Sequence, residues 1–118
     1  MKALSPHFFR HEFSCPCGCG FTDVSIELVA ILEGVRQYFD RPVLIKKGCS
    51  CTHYNKICAD EYASQHLLGT AADFVVDTIE PDKVADYLET KYSQQYGIGR
   101  STNYTHIDVR AAAVRWRE

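Results

Sequence analysis

The spacing of apolar residues along the chain predicts two helices. The first begins after Asp23 or Ser25, either of which can cap it, and it ends at Asp40-Arg41-Pro42. Its apolar residues follow a period of 3.6: Leu28, Ile31, Leu32, Val35 and Phe39. The second begins near Pro81, which suits a first helical turn, and its inner stripe contains Val84, Tyr87, Leu88 and Lys91 or Tyr92. We expect both stripes to pack in a core.

Other apolar runs predict short strands. Val43-Leu44-Ile45 and Phe74-Val75-Val76 are continuous apolar runs, as in buried strands. Residues 104–109 alternate instead, because Tyr104, His106 and Asp108 share one face and Thr105, Ile107 and Val109 share the other. Gly97-Ile98-Gly99 starts a hairpin into this last strand, and residues 111–118 form a short tail in which Trp116 packs as an anchor. These elements predict an α+β fold with a small antiparallel sheet.

Length and composition narrow the class of protein. A chain of 118 residues is long enough for one modest core, so we treat residues 1–118 as a single domain. A hydrophobic fraction of 46% is ordinary for a soluble globular protein, and a net charge of -2 gives no indication of nucleic-acid binding. No apolar run approaches the roughly 20 residues that span a bilayer, and no signal-peptide core follows Met1. We expect a monomer.

One segment carries residue types suited to metal binding. Ser64-Gln65-His66-Leu67-Leu68-Gly69-Thr70-Ala71-Ala72-Asp73 places an imidazole and a carboxylate seven positions apart, with small residues between them. His106, on the last strand, is the best candidate for a third ligand. Two histidines and one carboxylate are a common ligand set for catalytic zinc, which leaves one position for water. The alternative is that His66 and His106 are buried, hydrogen-bonded histidines and Asp73 is a cap or turn residue.

The pattern Ser-x-His-x-x-Gly-x-Ala-x-Asp at residues 64–73, followed by His106 in a buried strand, resembles the zinc D-alanyl-D-alanine carboxypeptidases and related murein peptidases, in the lysostaphin and hedgehog structural group. The resemblance runs from Phe13 to Trp116. It implies that one zinc per chain is bound by His66, Asp73 and His106, on the sheet face away from the helices. It also implies hydrolysis of bacterial peptidoglycan peptides involving D-amino acids, and therefore action at the cell wall, outside the cytoplasm or with a phage.

Further site residues follow from this ligand set. Asp108, two residues beyond His106 on the same strand face, is either the general base or a group that orients a ligand imidazole. Tyr104 can stabilise a tetrahedral oxyanion or only pack. Glu61 is a candidate acid or base if its loop folds over the metal. Residues predicted to contact the substrate are Lys47, Ser64 and Asn103.

Two positions depart from the family pattern. Where the family has Ser-Gly-Tyr-Arg, this chain has Lys47-Gly48-Cys49-Ser50, so the arginine that holds a substrate carboxylate is absent. A lysine supplies only a point charge in its place. Some members have a glutamate three residues before the last ligand, and here that position is Asn103, which cannot take a proton. The alternative function is therefore a non-catalytic zinc-binding module that binds cell wall or belongs to a phage tail.

Six cysteines fall into two groups, three within residues 15–19 and three within residues 49–58. An oxidising compartment would allow disulfides, for which six cysteines permit 15 pairings. The alternative is a second, structural zinc, because Cys15-Pro16-Cys17-Gly18-Cys19-Gly20 has the turn-forming residues of a metal knuckle. Its Cys-x-Cys spacing is shorter than is usual for zinc. The spacing therefore favours disulfides or free thiols.

Overall fold

The structure, a computed structural model, describes residues 3–9, 12, 25–47 and 70–117. Their helices and strands are, in chain order, β1 (Ala3–Ser5), β2 (Phe8–Phe9), α1 (Ile26–Phe39), β3 (Val43–Lys47), β4 (Ala71–Val76), α2 (Pro81–Lys91), β5 (Gly97–Arg100), β6 (Thr105–Asp108) and β7 (Val114–Arg117). The predicted α+β class is confirmed. Neither helix in these ranges is long and apolar enough to cross a membrane.

The helix boundaries follow from local sequence signals. At the start of α1, the Ser25 hydroxyl accepts the backbone N–H of Leu28 at 3.4 Å. At its end, Asp40 adopts a left-handed conformation (φ 53°), and its N–H donates to the Arg36 carbonyl at 3.0 Å. α2 begins at Pro81, whose missing N–H would have no partner in a first turn. Both predicted helices are confirmed.

Five strands form the main sheet in the order β3-β4-β6-β5-β7. The pairs β3-β4, β4-β6 and β5-β6 are antiparallel, as predicted, but β7 pairs with β5 in parallel. The prediction of a wholly antiparallel sheet followed by a tail was therefore wrong at residues 114–117. Arg115 holds this short strand in place. Its guanidinium donates to the carbonyls of Tyr92 and Tyr96, which follow α2 in the chain, at 2.8 and 2.6 Å.

Of the described residues, helices α1 and α2 pack on one face of the main sheet. Strand residues of the core are Val43, Ala72, Phe74, Val76, Ile98 and Ile107, and helix residues of the core are Leu28, Val29, Ile31, Leu32, Val35, Val84, Ala85 and Leu88. Because side chains alternate along a strand, the neighbours of Phe74 and Ile107 point to the opposite face. Asp73 and His106 are therefore carried on the face away from the helices.

The N-terminal segment is fastened to α1 by Glu33. The carboxylate of Glu33 accepts the Ser5 hydroxyl and both the backbone N–H and Nδ1 of His7, at 2.7 Å each for His7. Burial raises the pKa of Glu33, but these hydrogen bonds outweigh it, so the pKa lies below its ordinary value. Phe8 is buried in the core.

Tyr96 ties the start of β5 to α1 and should titrate late. Burial, followed by the hydrogen bond that its hydroxyl donates to Glu27 at 2.6 Å, raises the pKa of Tyr96 from 10 to about 12. The neutral phenol is favoured in the folded state, so its contribution to stability is complete below pH 10 and is lost as the pH rises toward 12. We expect Tyr96→Phe to remove one phenol from the late part of an alkaline absorbance titration. An unchanged late step in Tyr96→Phe would contradict the assignment.

Candidate metal centre

The strand register aligns five residues in one row across the sheet. Going from β3 to β7, the Cα partners in this row are Lys47, Asp73, His106, Gly99 and Trp116. A register shift between Ile45 and Lys47 brings Lys47 opposite Asp73. The row therefore joins residues from every strand of the sheet, although they are spread over 70 positions of the chain.

His106 lies between two carboxylates. Its Nδ1 is 2.7 Å from Oδ1 of Asp73, and its Nε2 is 2.8 Å from Oδ2 of Asp108. The side chain is almost completely buried. Burial lowers the pKa of His106, but the hydrogen bonds to Asp108 and Asp73 outweigh this and raise the pKa above its ordinary value. The two carboxylates therefore stabilise the charged form of the imidazole relative to a free histidine side chain.

Asp108 is fully buried, and a neighbouring arginine holds its carboxylate. Arg110 donates from Nε to Oδ1 at 2.7 Å and from Nη2 to Oδ2 at 2.8 Å, and its backbone N–H also donates to Oδ1 at 3.3 Å. Burial raises the pKa of Asp108, but hydrogen bonds from His106 and Arg110 dominate and hold the pKa far below its ordinary value. A bidentate guanidinium and an imidazole thus fix this carboxylate in its ionised form.

Trp116 and two glycines complete this part of the site. The Trp116 and His106 ring centroids are 4.9 Å apart with planes at 53°, and Cζ of Arg110 lies 5.4 Å from the indole centroid. A Cβ on Gly99 would lie 2.6 Å from the indole, and a Cβ on Gly97 would lie 2.5 Å from both carboxylate oxygens of Asp108. Glycine is therefore needed at both positions for these side chains to lie where they do.

The donors that face each other at Asp73 and His106 fit a zinc ion. A carboxylate oxygen and an imidazole nitrogen are both common zinc ligands. The second ring nitrogen of a zinc-bound histidine usually donates to a carboxylate, and Asp108 stands at that nitrogen of His106. His66, the third predicted ligand, lies outside the described residues. Within the described ranges, no group of three or more His, Cys, Asp and Glu side chains is arranged to hold a metal.

The other predicted site residues are only partly described. Lys47 ends β3 beside Asp73, and Tyr104 is half-buried one residue before β6. Asn103 is exposed in the turn between β5 and β6, where its backbone N–H donates to the Ser101 hydroxyl at 3.3 Å. Ser64, Glu61 and all six cysteines lie outside the described residues, so their roles stay predictions.

Sequence reasoning missed the parts played by Arg110, Gly97 and Gly99. A signal for Arg110 was present, because residues two apart on a strand share a face and Arg110 follows Asp108 at that spacing. The glycines alternate in the same way at the start of the hairpin. Glycine is required at these positions because of the side chains that lie opposite them, and only the strand register shows which side chains those are.

The comparisons with known proteins agree with the chemistry of these side chains. The family model described as Peptidase M15 matches residues 6–108. Searches of curated proteins and of solved structures gave no match. The matched range covers most of the chain and includes the Ser64–Asp73 motif, Asp73, His106 and Asp108. The chain therefore belongs to the peptidase M15 family, a family of the zinc D-Ala-D-Ala carboxypeptidase type, which confirms the resemblance drawn from its motif.

Proposed function

We propose that the protein is a zinc-dependent peptidase that hydrolyses peptide bonds of bacterial peptidoglycan, in the stem peptide or the cross-link. Family membership supports a peptidase in general. The observation that carries the zinc proposal is the position of His106, with Nδ1 facing Asp73 and Nε2 held by the buried Asp108. This arrangement prepares one ring nitrogen to bind a metal beside a carboxylate.

His66, Asp73 and His106 would hold the zinc. When bound, zinc lowers the pKa of water toward neutrality and polarises the scissile carbonyl. His66 precedes β4 in the sequence, whereas Asp73 and His106 are neighbours on adjacent strands. Because the two strands are paired along their length, the separation of these two side chains is set by rigid backbone rather than by a loop.

The contacts of Asp108 favour an orienting role over that of general base. Both of its oxygens already accept hydrogen bonds from Arg110, and Oδ2 also faces His106. The side chain has no solvent exposure, so a water molecule does not reach it without a rearrangement. A general base must lie within hydrogen-bond reach of the proton that it takes. We therefore assign proton transfer to another carboxylate, for which Glu61 is the candidate in the sequence.

Lys47 and Tyr104 are proposed to act on the substrate. Lys47 stands next to Asp73 in the row across the sheet, where an ammonium group can attract a peptide carboxylate. Tyr104, two residues before His106, can donate to the oxyanion that forms on the scissile carbonyl. With Ser50 where the family has arginine, tight recognition of a terminal carboxylate is weakened. This favours hydrolysis that does not depend on a free C-terminus.

The second candidate function is a non-catalytic zinc-binding module of the same fold. Asn103 favours it, because this position holds a glutamate in some family members and an amide cannot accept the proton of water. Such a module would bind zinc and cell wall without hydrolysis. The two candidates share the metal and differ in whether a bond is broken.

The test is to digest purified peptidoglycan with zinc-loaded protein and to measure new amine ends together with metal content. We expect one zinc per chain and new amines from the wild type, and neither from His66→Ala. His7→Ala is the matched control, since His7 is an exposed histidine that contacts Glu33 on α1. Zinc binding without new amines over a range of pH would support the binding module. Zinc that remains in His66→Ala would place the metal on the cysteines instead.

A further inference from the structure

We propose that Trp116 is a positioning residue of the metal centre, whose indole fixes the ring of His106 so that Nδ1 stays directed at Asp73. The inference rests on the proposed function of this site and adds a residue to it. Trp116 lies beyond residue 108, where the family match ends, and it is the single tryptophan of the chain. Its role is therefore assigned here from its contacts alone.

The sheet brings Trp116 to His106 by way of a glycine. Gly99 lies between them in the row, opposite His106 on one side and opposite Trp116 on the other. Cross-strand neighbours in a row are separated by one strand spacing, so residues two strands apart normally do not touch unless one is large. Because Gly99 has no side chain, the indole lies over it, and the two ring centroids come within 4.9 Å.

The indole limits tilting of the His106 ring, a motion that the hydrogen bonds to Asp73 and Asp108 permit. Hydrogen bonds tolerate tens of degrees of bending before they weaken, so Asp73 and Asp108 alone leave the plane of the imidazole loosely defined. An aromatic ring packed at 53° against its side limits this tilt. A metal ligand that is already held in position loses less conformational freedom on binding.

Trp116 also supports Asp108, the carboxylate behind His106. Arg110 grips Asp108 with two hydrogen bonds, and its guanidinium carbon lies 5.4 Å from the indole centroid. This is within the range of a cation–π contact. Removing the indole would therefore loosen His106 directly and Asp108 through Arg110. Loss of such outer contacts typically weakens metal affinity about tenfold or more.

The first experiment compares zinc affinities of full-length variants by competition with a chromophoric chelator, at a temperature where circular dichroism shows each one folded. We expect Trp116→Ala to bind zinc about tenfold more weakly. Trp116→Phe keeps an aromatic ring and should recover most of the affinity. Val114→Ala, at an exposed position two residues earlier on β7, is the matched control and should bind as the wild type does. A purely structural role would lower thermal stability and leave the affinity of the folded variants unchanged, which would overturn the inference.

The second experiment uses the wild type and reads Trp116 directly. Cobalt(II) quenches nearby fluorophores, so titrating it into the metal-free protein should remove most of the tryptophan fluorescence with a one-to-one end point. Cobalt that binds, by chelator competition, without quenching would overturn the inference even if Trp116→Ala failed to fold. Absence of any metal binding by the wild type would instead overturn the proposed function and the inference with it. If the wild type and Trp116→Ala bound the metal equally well, the inference would be overturned and the proposed function would stand.

Discussion

Replacing Asp108 by asparagine is expected to lower zinc affinity about 10- to 100-fold and to remove most of the peptidase activity. The substitution keeps the volume of the side chain. It replaces Oδ2, which accepts from both His106 Nε2 and Arg110 Nη2, with an amide NH₂ group. An amide NH₂ cannot accept from either donor, and turning it toward Oδ1 would set it against Nε of Arg110. The imidazole then loses the partner that fixes its tautomer.

Zinc affinity of Asp108→Asn would be measured by chelator competition, and kcat and KM on a peptidoglycan fragment. Asp77→Asn, at an exposed aspartate that directly follows β4, is the matched control and should behave as the wild type does. The two roles open to Asp108 give different results. Weak zinc binding that is restored, with activity, at high zinc concentration supports orientation. Unchanged zinc affinity with a large fall in kcat would contradict it and make Asp108 the general base.

Local patterns predicted the parts of the fold that depend on local forces. The 3.6-residue period and the Ser25 cap gave α1 because burial of a stripe and capping of free N–H groups act within a few residues. Alternation along residues 104–109 likewise put His106 and Asp108 on one face. The two predicted ligands that the structure describes, Asp73 and His106, are Cα partners on adjacent strands.

Features that depend on pairing between distant segments were not predictable in this way. β7 has an alternating pattern, but nothing in residues 114–117 specifies a parallel partner 17 positions earlier. The side chains of Asp86 and Glu89 bind Arg100 at 2.7 and 3.0 Å, which joins α2 to β5. Charged surface side chains meet their partners only in the tertiary fold, so the residues next to them in the sequence do not reveal which ion pairs will form.

Gly97→Ala is expected to disable the metal centre and to lower the free energy of unfolding by about 3 kcal/mol. The new Cβ would lie 2.5 Å from both oxygens of Asp108 and 2.7 Å from its Cγ. Neither side can yield easily, because Gly97 is on a strand paired on both sides and the Asp108 carboxylate is held by Arg110 and His106. Relief of the overlap requires either a shift of β5 or a break in this buried ionic cluster, and both disturb His106.

Urea unfolding and zinc titration of Gly97→Ala would be compared with those of Gly34→Ala. Gly34 is the matched control because it lies inside α1, where an added Cβ meets no atom closer than 3.7 Å. Alanine is favoured over glycine within a helix by about 0.5–1 kcal/mol, so Gly34→Ala should be slightly more stable than the wild type and should bind zinc equally well. If Gly97→Ala matched the wild type in both measurements, the carboxylate of Asp108 could not lie against β5, and its support of His106 would be excluded.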